Sequence, residues 1–384
     1  MSITRYCIKI YYRKILCYRL LYLATVLIQL IFNSDIIFTK KTNTAHKFIL
    51  GLALIIYLSQ HNKTVYNSFF KLLEQPMKRF LHSLILLLSL SFVATGCEVV
   101  RWKTEHDQST LKKEGFSKHQ MTLKQGGKLT YWEGGHGQPL LLLHGFGGTA
   151  AATWKAEMLK LSKKYHVIAP DLLWFGESYS NSSAKLATQT DAIWQLVNKL
   201  KLDSIDVVGI SYGGFITYDM MLTPERINKA VIIASPGPLF NDQDLNDLVK
   251  RAGTQSPEEL FVPNNGDGVK RLYDNVFIEK KIIPDFIANQ IYLDYFSQWK
   301  PQRTQLIQTL PNDRDRIQQY DPKKLPQTLL IWGENDQIFP LKSGIKLSQY
   351  IQAPIVVLPK TAHGITNEQP TVTADLIDTF LSKQ

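Results

Sequence analysis

From about residue 139 onward, the chain alternates short runs of consecutive apolar residues with longer stretches whose apolar positions recur every three or four residues. The short runs fall at 139–143, 166–169, 205–210, 230–234, 328–332 and 354–358. Apolar runs of this length suit strands covered on both faces. The longer stretches, at 151–164, 184–200, 212–221, 341–350 and 372–381, read as amphipathic helices. Strand and helix in regular alternation predict the α/β class, with a mostly parallel central sheet and helices on both faces. Ahead of this, 120–124 and 128–132 flank Gln125-Gly126-Gly127 and read as an antiparallel hairpin leading into the sheet.

The alternation breaks once, over about 236–325. Helical patterning at 243–251, 269–276 and 284–298 is interrupted there by Pro and Gly, with no convincing buried strand. This predicts a helical insertion. Inserted at the carboxyl edge of a parallel sheet, it would cap the position where ligands bind such sheets.

Charge separates the front of the chain from the rest. Residues 1–97 carry 12 Lys and Arg against two acidic residues, whereas 98–384 carry 32 against 31. The formal charge of +11 therefore belongs to the front, and the near-neutral body lacks the basic surface expected for a nucleic-acid partner. Cys7, Cys17 and Cys97 also lie in the front section, so the body holds no disulfide framework.

From Met77 the order is a start residue, Lys78 and Arg79, an apolar run over 84–93, and then Ala94-Thr95-Gly96 directly before Cys97. That is the layout of a secretory signal peptide. Its end resembles a bacterial lipoprotein signal, cut before a cysteine that takes lipid, although Ala94 stands where Leu is commoner. The resemblance implies 77–96 as signal, Cys97 as lipidation site and the cell envelope as location. Glu98, rather than Asp, implies the outer membrane in a Gram-negative host. An uncleaved apolar anchor with an incidental Cys97 is the alternative. Apolar runs at 20–32 and 48–58 are 13 and 11 residues long, short of the roughly 20 that span a bilayer. Residues 1–76 are therefore expected to reflect start-site assignment, against the alternative of a real membrane-associated extension. Residues 97–118 read as a polar, aperiodic tether, and 119–384 as the folded domain.

The candidate chemistry centres on Gly209-Ile210-Ser211-Tyr212-Gly213-Gly214, which ends one strand run and opens a helix. A serine on such a sharp turn needs small residues two before and two after it, here Gly209 and Gly213. Serine requires a base, and His363 is the one histidine after Ser211. It sits in Thr361-Ala362-His363-Gly364, after the last strand run. Asp336, in Trp332-Gly333-Glu334-Asn335-Asp336, is favoured to orient the imidazole, with Glu334 as its nearest rival. Leu143-His144-Gly145-Phe146-Gly147-Gly148 supplies a glycine-rich turn whose Phe146 N–H, with the Tyr212 N–H, suits an oxyanion hole. A phosphate cradle at that turn fails on the G-x-G-x-x-G spacing and on the missing Lys-Ser/Thr. No metal or cofactor is called for.

Together with Ala169-Pro170-Asp171-Leu172-Leu173-Trp174-Phe175-Gly176-Glu177-Ser178, these segments resemble the α/β-hydrolase fold family over about 120–384. Within it the sequence is similar to bacterial lipases and esterases of the monoacylglycerol-lipase-like group, some of them lipoproteins. The resemblance implies Ser211 as nucleophile, His363 as base, Asp336 as orienting acid, a cap over about 236–325 and lipid-like or other apolar ester substrates. Serine at the turn excludes the epoxide-hydrolase and haloalkane-dehalogenase branches, which use aspartate there. Trp174 departs from the family, which often has glycine, and would either narrow the pocket or pack under the cap. Amidase, peptidase, carbon–carbon bond hydrolase and perhydrolase activities share the triad, and a non-catalytic binding lipoprotein is the reading from a different class.

Overall fold

A computed structural model describes residues 98–383. The signal-like segment and Cys97 lie outside the described residues.

The first described element corrects an expectation. Residues expected to form an aperiodic tether contain helix α1, Val99–Lys113. Its inward stripe is Val100, Thr104, Asp107 and Leu111, which has helical spacing but is half polar, so hydropathy alone hides it. Leu111 is fully buried, and Asp107 is buried between Lys103 and Lys155, whose charges together hold its carboxyl below the usual range despite burial.

Strands β1 (Ser117–Thr122) and β2 (Gly127–Gly135) form the expected hairpin. Its turn uses Gly126 and Gly127 at φ +82° and +95°, a left-handed conformation that a side chain would strain. The sheet continues with β3 (Gln138–Leu143), β4 (Tyr165–Pro170), β6 (Ile205–Ile210), β7 (Ile227–Ile233), β8 (Gln327–Gly333) and β9 (Ile355–Leu358). Spatial order is β1-β2-β4-β3-β6-β7-β8-β9, parallel from β4 to β9, and short β5 (Tyr179–Ser180) pairs with β2.

Alternation along the strands divides the core into two layers. Leu141, Leu143, Val207, Ile232, Leu330 and Trp332 face one side. There they meet α3 (Leu186–Lys199), α4 (Tyr212–Met220) and α10 (Leu341–Ile351). Leu140, Leu142, Val208, Val231 and Ile331 face the other, against α2 (Ala150–Leu161), α11 (Ile365–Glu368) and α12 (Pro370–Leu381). β6 is buried at every position, so residue 211 leaves the sheet from its middle.

Between β7 and β8 the chain is helical. It forms α5 (Asp242–Ala252), α6 (Pro257–Phe261), α7 (Gly266–Val276), α8 (Asp285–Ile291) with a π-helical turn at Tyr292–Phe296, and α9 (Lys300–Ile317). A capping box of Asn241 and Asp244 starts α5, and Gly253 at φ +64° ends it. α9 goes beyond the sequence expectation, because Pro301 and Pro311 and a mostly polar surface obscure its period. Pro301 sits in the first turn, where no N–H is needed, while Pro311 is accommodated inside the helix. Among the described residues, no helix is long and apolar enough to cross a membrane.

Candidate active site

The turn from β6 into α4 forces Ser211 to φ +54°, a strained left-handed conformation for a non-glycine residue. Its N–H donates to Ile233 O at 2.8 Å and its carbonyl accepts from Gly214 N–H at 2.9 Å, so both sides of the turn are pinned. The glycines are required by contact. A Cβ on Gly209 would run into the Gly213 carbonyl and Thr217 Oγ1, and one on Gly213 would run into the Leu143 carbonyl.

His363 and Asp336 arrive from the loops after β9 and β8. His363 Nε2 lies 2.9 Å from Ser211 Oγ, and His363 Nδ1 lies 2.8 Å from Asp336 Oδ2. All three residues are buried. The other oxygen of Asp336 accepts the main-chain N–H groups of Ile338 and Phe339, each at 2.8 Å, which fixes the carboxylate plane. Glu334, the rival, is exposed and accepts from Lys360 N–H at 3.2 Å, so it braces the histidine loop and does not bond the imidazole. A second brace is Glu368, whose carboxylate accepts from Ala362 N–H at 2.7 Å. The Phe339 ring meets His363 edge-on at 5.5 Å.

The glycine-rich turn after β3 passes directly over the serine. A Cβ on Gly145 would stand 3.2 Å from that of Ser211, so the Gly145–Phe146 backbone is held close to Oγ. His144 anchors this turn. It is fully buried, its Nδ1 lies 2.7 Å from Gly145 O, and its Nε2 accepts from Leu172 N–H at 2.9 Å, which makes Nδ1 the protonated nitrogen. Burial lowers its pKa to about 4, so it is a neutral structural imidazole at ordinary pH. Sequence reasoning missed its role, which the residue type alone does not signal. Asp171 accepts from Ala150 N–H at 2.8 Å at the start of α2, and burial raises its pKa to about 6.

A pocket opens from Ser211 beneath the cap. Phe146, Tyr212, Phe215, Phe240, Phe261 and Phe339 make it aromatic, and Ile307 and Leu310 of α9 close it from above. Among the described residues, the one cation on its wall, Arg314, is engaged by Asp242 at 3.1 Å and Asp315 at 3.0 Å. Trp174 lies outside this wall. It is fully buried at φ +65°, and its carbonyl accepts from Arg303 of α9, which ties its backbone to the cap.

The sequence profile of the alpha/beta hydrolase fold matches residues 138–366, more than half of the chain. The chain belongs to the α/β-hydrolase fold family. Among this hydrolase's relatives is 2-hydroxymuconate semialdehyde hydrolase of Pseudomonas sp. (strain CF600), 28% identical over 65% of this chain and 89% of that protein. Another is Lipase 1 of Psychrobacter immobilis, 28% identical over 68% of this chain and 83% of that one. Among solved structures, a bacterial membrane phospholipase A described as a virulence factor superposes with a TM-score of 0.63 at 25% identity. That match covers 79% of this chain and 98% of that one.

Proposed function

We propose that this hydrolase cleaves carboxylic esters with uncharged, apolar acyl groups through an acyl-enzyme on Ser211. The observation that carries the reading is the unbroken hydrogen-bond line from Asp336 through His363 to Ser211, ending at the mouth of an aromatic pocket.

The chemistry follows from that line. His363 Nε2 takes the Oγ proton as Ser211 attacks the ester carbonyl. Asp336 keeps the other imidazole proton on Nδ1 and stabilises the imidazolium without accepting that proton. The Phe146 and Tyr212 N–H groups hold the oxyanion, and Tyr212 opens α4, so the positive end of the helix dipole adds to the stabilisation. The imidazolium then protonates the leaving alcohol. Water, deprotonated by the same nitrogen, releases the acid and frees Ser211. Gly209 and Gly213 hold the nucleophile's turn, and no metal or cofactor takes part.

Lipases and carbon–carbon bond hydrolases both stand among the relatives, and the same serine can serve either reaction. The pocket wall supports the ester reading, because the one cation on it among the described residues is already paired and leaves little to bind an acidic substrate. Cys97 as a lipid anchor in the cell envelope is part of the proposal and rests on the signal-like segment before it. Hydrolysis of p-nitrophenyl esters from acetate to palmitate by the full chain, with Ser211→Ala as control, tests the function. Ser211-dependent turnover supports it. A silent ladder from a protein whose Ser211 still reacts with a fluorophosphonate would shift the assignment to amide or carbon–carbon substrates.

A further inference from the structure

The cap carries an apolar surface that nothing in the folded unit covers. Phe286 and Leu293 lie seven residues apart on the continuous helix formed by α8 and the π-helical turn, so they project from one side of it. They are 56% and 59% exposed, and Ile282, in the loop leading into α8, is 99% exposed. Isolated exposed apolar residues are ordinary, whereas three within twelve consecutive residues of the cap are not.

This surface lies where the chain enters the folded unit. Gln290, between Phe286 and Leu293, accepts the Val100 N–H at 3.3 Å, and Thr104 Oγ1 pairs with the Tyr295 hydroxyl at 2.9 Å. The first turn of α1 is therefore seated beside the apolar stripe. Val100 is three residues from Cys97, a reach of about 10 Å even if fully extended. The segment arriving there contains the apolar run 84–93 and the lipoprotein-like cysteine. Lys280 and Lys281, both exposed, immediately precede Ile282 and suit anionic headgroups.

We infer that Ile282, Phe286 and Leu293 form a face that docks on a lipid bilayer, laying the cap against the membrane near the start of the folded unit. The inference rests on the membrane-anchored reading of Cys97 and is independent of the reaction.

The test uses the full chain reconstituted into phosphatidylcholine–phosphatidylglycerol vesicles containing a doxyl-labelled lipid. An environment-sensitive fluorophore is placed by Phe286→Cys, by Leu293→Cys, or by Ile345→Cys as an exposed control on α10. The background carries Cys7→Ser and Cys17→Ser, and the parent without an added cysteine gives the blank. Thermal unfolding checks that each variant is folded. Lipid quenching at 286 and 293 should exceed that at 345 by at least about threefold, as for side chains sunk at the headgroup–acyl boundary. Equal quenching at all three positions overturns the inference. So does shielding of 286 and 293 without lipid quenching, which marks a protein partner such as a second copy. Intact mass reports Cys97 separately. An unmodified Cys97 with a quenched patch keeps the docking face and removes the anchor, whereas a lipidated Cys97 with an unquenched patch overturns the docking face.

Discussion

Arg303 of cap helix α9 donates its Nε–H to the Trp174 carbonyl at 2.7 Å, tying the cap to the loop that follows β4. Its guanidinium also bonds the Tyr295 carbonyl and lies 4.6 Å from the centre of the Phe175 ring. Phe175 in turn meets Phe146 edge-on at 4.9 Å, so the cap and the proposed oxyanion turn share one packed column. Burial lowers the Arg303 pKa to about 10, which still leaves it charged at neutral pH.

Removing this link should loosen the cap more than the core. Arg303→Met strands two buried carbonyls and is expected to cost about 2–4 kcal/mol. Arg303→Lys should recover less than half of that, since an ammonium lacks the planar fork and the stacking face. Urea unfolding measures the cost, and KM for a soluble ester should rise with it.

Ser211→Ala and His363→Ala should each lower kcat by about 10⁴–10⁶-fold, and the double variant should be little worse, because the residues act as a unit. Asp336→Asn should cost about 10⁴-fold by favouring the wrong imidazole tautomer. Glu334→Gln should stay within about threefold of the native rate, since its carboxylate braces Lys360 and not the imidazole. Steady-state kinetics on one ester separates the two acids.

Gly209→Ala should destabilise the fold by about 3 kcal/mol through overpacking against the Gly213 carbonyl and Thr217. Thermal unfolding checks this without reference to activity. Gly253→Ala, at a left-handed helix end with open space around it, should cost only about 1 kcal/mol.

Glu157 gives the stability a specific pH dependence. It is fully buried on α2 with neither carboxyl oxygen hydrogen-bonded, and burial raises its pKa to about 8. The folded chain therefore holds this proton more tightly than the unfolded chain, whose carboxyl titrates at about 4.5. The stabilising contribution is full below about pH 4.5 and is lost as pH rises through about 8. Glu157→Gln cannot titrate. It should match the native chain near pH 4 and exceed it by about 2–4 kcal/mol at pH 8.5 in urea unfolding.

Much of the fold was legible because its signals are local. Apolar runs along β3, β6, β7 and β8 mark strands covered on both faces, and Gly209 and Gly213 frame Ser211 in the order a strained turn demands. His363 could be named because no other histidine follows Ser211, and Asp336 because it follows a strand run ahead of His363, although sequence did not separate it from Glu334 by geometry. What stayed hidden is long-range or masked by polarity. The inward stripe of α1 runs through Thr104 and Asp107, and Asp107 is satisfied by Lys155 from another helix. α9 contains Pro311 and buries a charged residue, Arg303, whose main-chain carbonyl partners include that of Trp174, 129 residues earlier. No periodicity reveals that the Trp174 carbonyl would tie to the cap or that His144 would hold a loop.

The central claim is that Ser211 is an activated nucleophile, and covalent labelling tests it most directly. The full chain should be treated with a fluorophosphonate, digested, and the adduct located by mass spectrometry. A single adduct on Ser211, absent in Ser211→Ala and strongly slowed in His363→Ala, is the expected result. A folded protein that forms no adduct, or forms one on another serine, would contradict the account.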